Sequence, residues 1–171
     1  MPGTLDLDAA ASTIARVDPY LFRVFDAGNP LAPTARHNLR DVDVVTIGRG
    51  EPESRRVADG DQRTLQLSLV DPRVSSLHAH LRKRPGQWIV EDAGSRNGVF
   101  RNGTREPVAV LADGDLLELG QTFFVFRSGL VTAGDEPADL TTATLAALSP
   151  GFATLLPGLA RDLRRLIDVA R

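Results

Sequence analysis

Between residues 20 and 128, apolar and polar positions alternate in short runs, and Gly, Pro, Asn and Asp punctuate them. Alternation with a period of two sends successive side chains to opposite faces, which is the mark of a half-buried strand. The cleanest run is Thr64-Leu65-Gln66-Leu67-Ser68-Leu69-Val70. It predicts Leu65, Leu67 and Leu69 inward, with Gln66 and Ser68 outward. The same pattern predicts strands over Tyr20–Asp26, Val42–Gly48, Thr64–Val70, His78–Arg84, Gln87–Asp92, Val99–Arg101, Val108–Leu111, Asp115–Leu119 and Thr122–Arg127. Pro85-Gly86 predicts a hairpin turn, and Gly120-Gln121 separates the last two strands. The aromatics Phe123, Phe124 and Phe126 are expected in the core. Many short strands with regular turns predict an all-β fold, an antiparallel β-sandwich.

The ends of the chain follow other patterns. Residues 1–19 are small and polar and predict a loosely attached N-terminal extension. Residues 129–140, with Ala133-Gly134-Asp135-Glu136-Pro137, read as a linker. Beyond it the period becomes helical, so residues 141–171 predict a short helical C-terminal extension. Ser149-Pro150 suits an N-cap followed by Pro at the first helical position. Leu155, Leu156, Leu159, Leu163, Leu166 and Ile167 form one apolar stripe, which Pro157 divides between two short helices. That stripe needs a partner: the sandwich, a second copy in self-association, or a segment outside this chain.

Composition narrows the chemistry. The chain has 171 residues, 42% of them hydrophobic, enough for one domain with a core. A formal net charge of −2 disfavours a nucleic-acid surface. No Cys is present, so there is no disulfide, thiolate ligand or thiol nucleophile. His37, His78 and His80 are few and scattered, and neither a metal site nor a cofactor is expected. Residues 1–19 lack the basic start and apolar block of a secretory signal, and no run reaches membrane-span length. A soluble cytoplasmic protein with no membrane contact is the expectation.

Three loop signatures follow one another in the middle of the chain. They are Ile47-Gly48-Arg49 at a strand end, Val74-Ser75-Ser76-Leu77-His78-Ala79, and Asp92-Ala93-Gly94-Ser95-Arg96-Asn97-Gly98 followed by Val99-Phe100-Arg101-Asn102-Gly103. Together they resemble the forkhead-associated (FHA) family of β-sandwich modules, which bind phosphothreonine in partner proteins. The resemblance covers about residues 20–128. It implies an FHA-like sandwich and a partner that is a threonine-phosphorylated protein or peptide, marked by a Ser/Thr kinase.

The residue types suit that ligand. A phosphothreonine brings about −1.5 to −2 of charge and three acceptor oxygens. Arg49 offers a planar fork of donors, and Ser75 a small hydroxyl donor. The resemblance implies that Asn97 clamps the peptide backbone, for which its amide has both donor and acceptor. It also implies that His78 braces the loops from beneath. Gly48, Gly94 and Gly98 would supply backbone freedom. Two positions depart from the family pattern. Ser76 stands where a larger polar or basic residue often contacts the peptide, and Arg96 stands before Asn97 where Ser or Thr is common. Arg96 is read as a second cation compensating for Ser76. Asn102-Gly103 reads as a turn only, and Asp92 as a loop-bracing acceptor.

One difficulty is geometric. The segment Glu51–Arg63 is longer than the usual family loop. Simple up-down alternation of the predicted strands puts Arg49 at the opposite end from Ser75 and Asn97. Only the resemblance brings Arg49 to the site, unless this segment crosses over. Its Arg55, Arg56 and Arg63 are either a solvated tip or extra peptide contacts.

Other readings compete. Ser75, His78 and Asp92 invite a hydrolase, but no G-x-S-x-G elbow accompanies them, and no enzyme is expected. A phosphate-independent interaction or oligomerisation scaffold is the rival class. Ser149-Pro150 and Leu166-Ile167-Asp168-Val169-Ala170-Arg171 look similar to the segment that opens the ATPase domain of bacterial sigma-54-dependent transcription activators. No G-x-x-x-x-G-K-[ST] follows. This second resemblance implies the N-terminal sensory domain of such an activator, coupling Ser/Thr kinase output to transcription.

Overall fold

The alternation over residues 64–70 sets the core. In the computed structural model Leu65, Leu67 and Leu69 are buried, while Gln66 is exposed. The structure describes residues 16–132 and 137–141. Two sheets pack face to face through side chains that include Leu21, Val45, Ile47, Leu81, Val90, Leu117 and Phe124. Phe126 meets Trp88 across this layer at 6.5 Å between ring centroids, a tilted aromatic contact.

One sheet holds, from edge to edge, β13 (Asp139–Thr141), β2 (Ala35–Asn38), β1 (Arg16–Asp26), β12 (Thr122–Thr132), β11 (Leu116–Leu119), β8 (Val99–Arg101) and β9 (Thr104–Arg105). The other holds β10 (Val108–Leu111), β7 (Gln87–Asp92), β6 (Ala79–Arg84), β3 (Val44–Arg49), β5 (Gln62–Leu69) and β4 (Glu53–Asp59). Pro85-Gly86 joins β6 to β7 with Gly86 at φ 74°, and Gly120-Gln121 joins β11 to β12 with Gly120 at φ 65°. Both turns fall where the sequence predicts them.

The sandwich is antiparallel with one exception that matters for function. β3 and β5 pair in parallel, from Val44↔Thr64 to Arg49↔Leu69. The cause is β4, inside the segment read as a long loop. β4 runs back along the outer side of β5, with Glu53↔Ser68 at one end and Asp59↔Gln62 at the other. Its pattern hid it, because six of its seven residues are exposed and only Val57 is partly covered. An edge strand with little to bury shows no apolar alternation.

The margins also differ from expectation. β1 starts at Arg16, within the predicted extension, and β12 and β13 put strand at both described ends of the stretch read as a linker. The short β2 and β9 were not predicted. The predicted helical tail beyond Thr141 lies outside the described residues. Among the described residues no helix is long and apolar enough to cross a membrane.

Candidate functional site

The parallel pair resolves the position of Arg49. With β4 inserted, β3 and β5 end on the same side, and the Arg49 N–H donates to the Ser75 carbonyl at 2.9 Å. Arg49, Ser75, Ser76, Arg96 and Asn97 therefore gather at one end of the sandwich, on the loops after β3, β5 and β7. The Arg49 guanidinium is exposed, and it donates one long hydrogen bond to the Pro72 carbonyl, 3.4 Å. It is thus available to an anion.

Ser75 and the loop carrying Asn97 are knitted together. The Arg96 N–H donates to Ser75 Oγ at 3.1 Å. That fills one acceptor position of the hydroxyl and leaves its proton to point elsewhere. Asn97 Nδ2 donates to the Arg73 carbonyl at 2.6 Å, binding the third loop to the second. Its Oδ1 and remaining N–H keep one acceptor and one donor for a peptide backbone. The loop itself is wound by its own polar side chains. Ser95 N–H donates to Asp92 Oδ1 at 2.7 Å, and Gly98 N–H to Ser95 Oγ at 2.9 Å. Asp92 is thus a bracing acceptor.

His78 lies beneath these loops, wholly buried. Its Nδ1 accepts from the Ser75 N–H at 3.1 Å, which leaves Nε2–H to donate to the Gly98 carbonyl at 3.0 Å. Both ring nitrogens serve the backbone of the two site loops. A His so committed has no nitrogen left to activate Ser75 Oγ, the geometry a Ser-His hydrolase needs. His80, two residues on, sits across from Thr46 and Glu91 instead. Among the described residues no group of three or more His, Asp or Glu stands where it would hold a metal ion.

The glycines act for different reasons. Gly98 has φ 86° and Gly94 φ 79°, in the left-handed region. Gly48 has ordinary strand geometry, and its role is clearance, not backbone freedom. A Cβ there would lie 2.1 Å from the Ser76 carbonyl oxygen. The two Asn-Gly pairs also separate. Asn102 (φ 51°) and Gly103 (φ 80°) both turn left-handed between β8 and β9, which makes a type I′ hairpin. Asn97 does not share that conformation, so Asn97-Gly98 is a different kind of bend.

Three residues at this end escaped the sequence reading. Asp71 is buried and takes hydrogen bonds from Arg73 N–H (2.9 Å), Gln121 N–H (2.7 Å) and Thr122 Oγ1 (3.0 Å). It ties the Ser75 loop to the β11–β12 turn. Asp71-Pro72 before the motif Ser was a legible turn signal. Arg73 and Arg105 are exposed cations beside Asn97 and Gly98, and nothing in their local pattern distinguished them.

Comparisons with known proteins point the same way. Residues 45–120 match the family model described as the FHA domain. The chain is 46% identical over 65 residues to the glycogen accumulation regulator GarA of Mycolicibacterium smegmatis, covering 37% of this chain and 40% of that protein. So it spans less than half of that relative's length. It is 28% identical over 135 residues to the oxoglutarate dehydrogenase inhibitor of Corynebacterium efficiens, covering 74% of this chain and 94% of that one. It is similar to the solved FHA-2 domain of a Mycobacterium tuberculosis ABC transporter, 32% identical, covering 56% of this chain and 77% of that domain, with a TM-score of 0.39. The family match thus assigns residues 45–120 of this chain to the FHA domain.

Proposed function

We propose that this chain is a phosphothreonine-dependent recognition module that acts by docking and carries out no chemistry of its own. Arg49 and Ser75 hold the phosphate, Asn97 holds the peptide backbone, and Arg96 adds a cation beside them. The observation that carries this reading is the convergence of Arg49 with Ser75 and Asn97 through the parallel β3–β5 pair. The partner is a cytoplasmic protein phosphorylated on threonine by a Ser/Thr kinase. Relatives named as a regulator and an inhibitor fit a protein that controls others by binding them.

Titration calorimetry with one peptide in phosphorylated and unmodified forms tests the proposal. Each charge-assisted hydrogen bond is worth about 1.5–3 kcal/mol, so Arg49→Ala should weaken the phosphopeptide at least about tenfold. Equal affinity of the wild type for both peptides would favour the phosphate-independent scaffold instead. A sensory domain of a sigma-54-dependent activator is the second reading, and Ser149-Pro150 with the segment ending at Arg171 supports it. Sequencing the gene past the Arg171 codon decides it. An in-frame G-x-x-x-x-G-K-[ST] is expected, and its absence removes this reading.

A further inference from the structure

Several arginines have carboxylate partners. Arg40 pairs with Asp18, Arg82 with Glu91 at 2.7 Å, and Arg101 with Glu106 at 2.7 Å. Others among the described residues, such as Arg55 on β4 and Arg84 on β6, have none, and neither do the four at the recognition end, Arg49, Arg73, Arg96 and Arg105. The carboxylates near Arg105 are already committed. Its sequence neighbour Glu106 takes both Nε and Nη2 of Arg101, and Asp115 takes Arg101 Nη1, Asn102 Nδ2 and the Ala112 N–H. At the same end Asp71 and Asp92 are spent on N–H and O–H donors. Glu51 is exposed, but it leads into β4, at the opposite edge of the sandwich from β9.

Arg105 also lies against one of the site loops. A Cβ added to Gly98 would stand 2.3 Å from Arg105 Nε and 3.0 Å from Cζ, so the guanidinium lies directly on the Asn97-Gly98 bend. The contacts run in sequence across the surface. Arg49 touches Ser75, Ser75 touches Arg96, Asn97 touches the Arg73 carbonyl, and Gly98 touches Arg105. Arg105 thus stands beside the residue read as holding the peptide backbone, Asn97.

We infer that the recognised segment carries acidic side chains beside its phosphothreonine, and that Arg105 is the residue that selects them. This rests on the recognition reading above. Arg105 needs no rearrangement to bind a carboxylate, since no internal partner among the described residues must first be given up. It is a specificity residue, separate from the phosphate contact itself.

The test uses the whole chain and three peptides of one sequence: phosphothreonine flanked on both sides by Asp, the same with Asn in place of Asp, and the unphosphorylated Asp form. Wild type should bind the Asp phosphopeptide about three- to tenfold more tightly than the Asn phosphopeptide, and the gap should narrow with added salt. Arg105→Gln should abolish that gap, so that the variant binds the Asp and Asn phosphopeptides equally. Arg105→Lys should restore part of it. Unchanged thermal unfolding of Arg105→Gln shows that the fold is intact. Equal affinity of wild type for the Asp and Asn phosphopeptides, or a gap that survives Arg105→Gln, overturns the inference alone. Equal affinity for the phosphorylated and unphosphorylated Asp forms overturns the recognition reading and this inference with it.

Discussion

A single missing methyl group opens the site. The Cβ of an alanine at position 48 would press into the backbone carbonyl of Ser76, which has no flexible end to swing aside. Gly48→Ala must therefore push the Ser75-Ser76 loop outward. We expect a loss of about 1–3 kcal/mol in chemical denaturation and at least a tenfold loss in phosphopeptide affinity. Gly94→Ala meets nothing within 4 Å and carries only the left-handed cost, about 1 kcal/mol. Asp71→Ala removes one carboxylate that serves three donors in the interior, and should cost about 2–4 kcal/mol by the same denaturation measurement. At Gly48 the cause differs from the one the sequence suggested: the position needs clearance and not backbone freedom. Ser75, Asn97 and His78 were legible because they sit in short motifs with fixed spacing. Asp71 and Arg105 were not, because their partners are 50 and 7 positions away and only the fold brings them together.

At the level of elements, one strand decided whether the site existed. Every core strand from Val44 to Phe126 showed its alternation, since each buries one face. β4 buries almost nothing, so hydrophobic patterning was silent about it, and leaving it out inverted the direction of everything that followed. The strap β13 was also illegible, since it pairs with β2 through its backbone and adds charged contacts but buries no apolar side chain. Asp139 on β13 accepts from His37 Nδ1 at 2.7 Å and from Arg56 Nε, on the other sheet, at 2.7 Å. Burial alone would raise its pKa, but the hydrogen bonds from His37 and Arg56 prevail and hold it at about 2. A carboxylate with a depressed folded pKa stabilises the fold above its unfolded value near 4, and that contribution fades as pH falls through 2. Asp139→Asn should thus be about 1–2 kcal/mol less stable than wild type at pH 7. The gap should close between pH 4 and pH 2. Denaturant titrations across that range measure it, and a gap independent of pH would show that the strap is not electrostatic.

For the molecule as a whole, charge is divided more sharply than the net value of −2 suggests. Among the described residues most carboxylates are spent on arginine partners or on backbone donors, and four arginines without an ion pair, Arg49, Arg73, Arg96 and Arg105, stand at the recognition end. The β13 strap also sets where the chain can be cut. A truncation after Thr141 keeps Asp139 and the three site loops and should leave peptide affinity unchanged. One after Thr132 removes the strap and should lower stability. If size-exclusion chromatography shows the Thr141 truncation smaller in assembly than the full chain, residues 142–171 drive self-association; equal assembly assigns them no such part.

The β4–β5 hairpin has a practical consequence. Its turn, Gly60-Asp61, lies at the far end of the sandwich from Arg49, both residues are exposed, and nothing lies within 4 Å of a Cβ at Gly60. A fluorophore or affinity tag attached there stands a full strand length from the ligand. The turn is thus a natural handle for turning this domain into a sensor, reporting on capture without entering it.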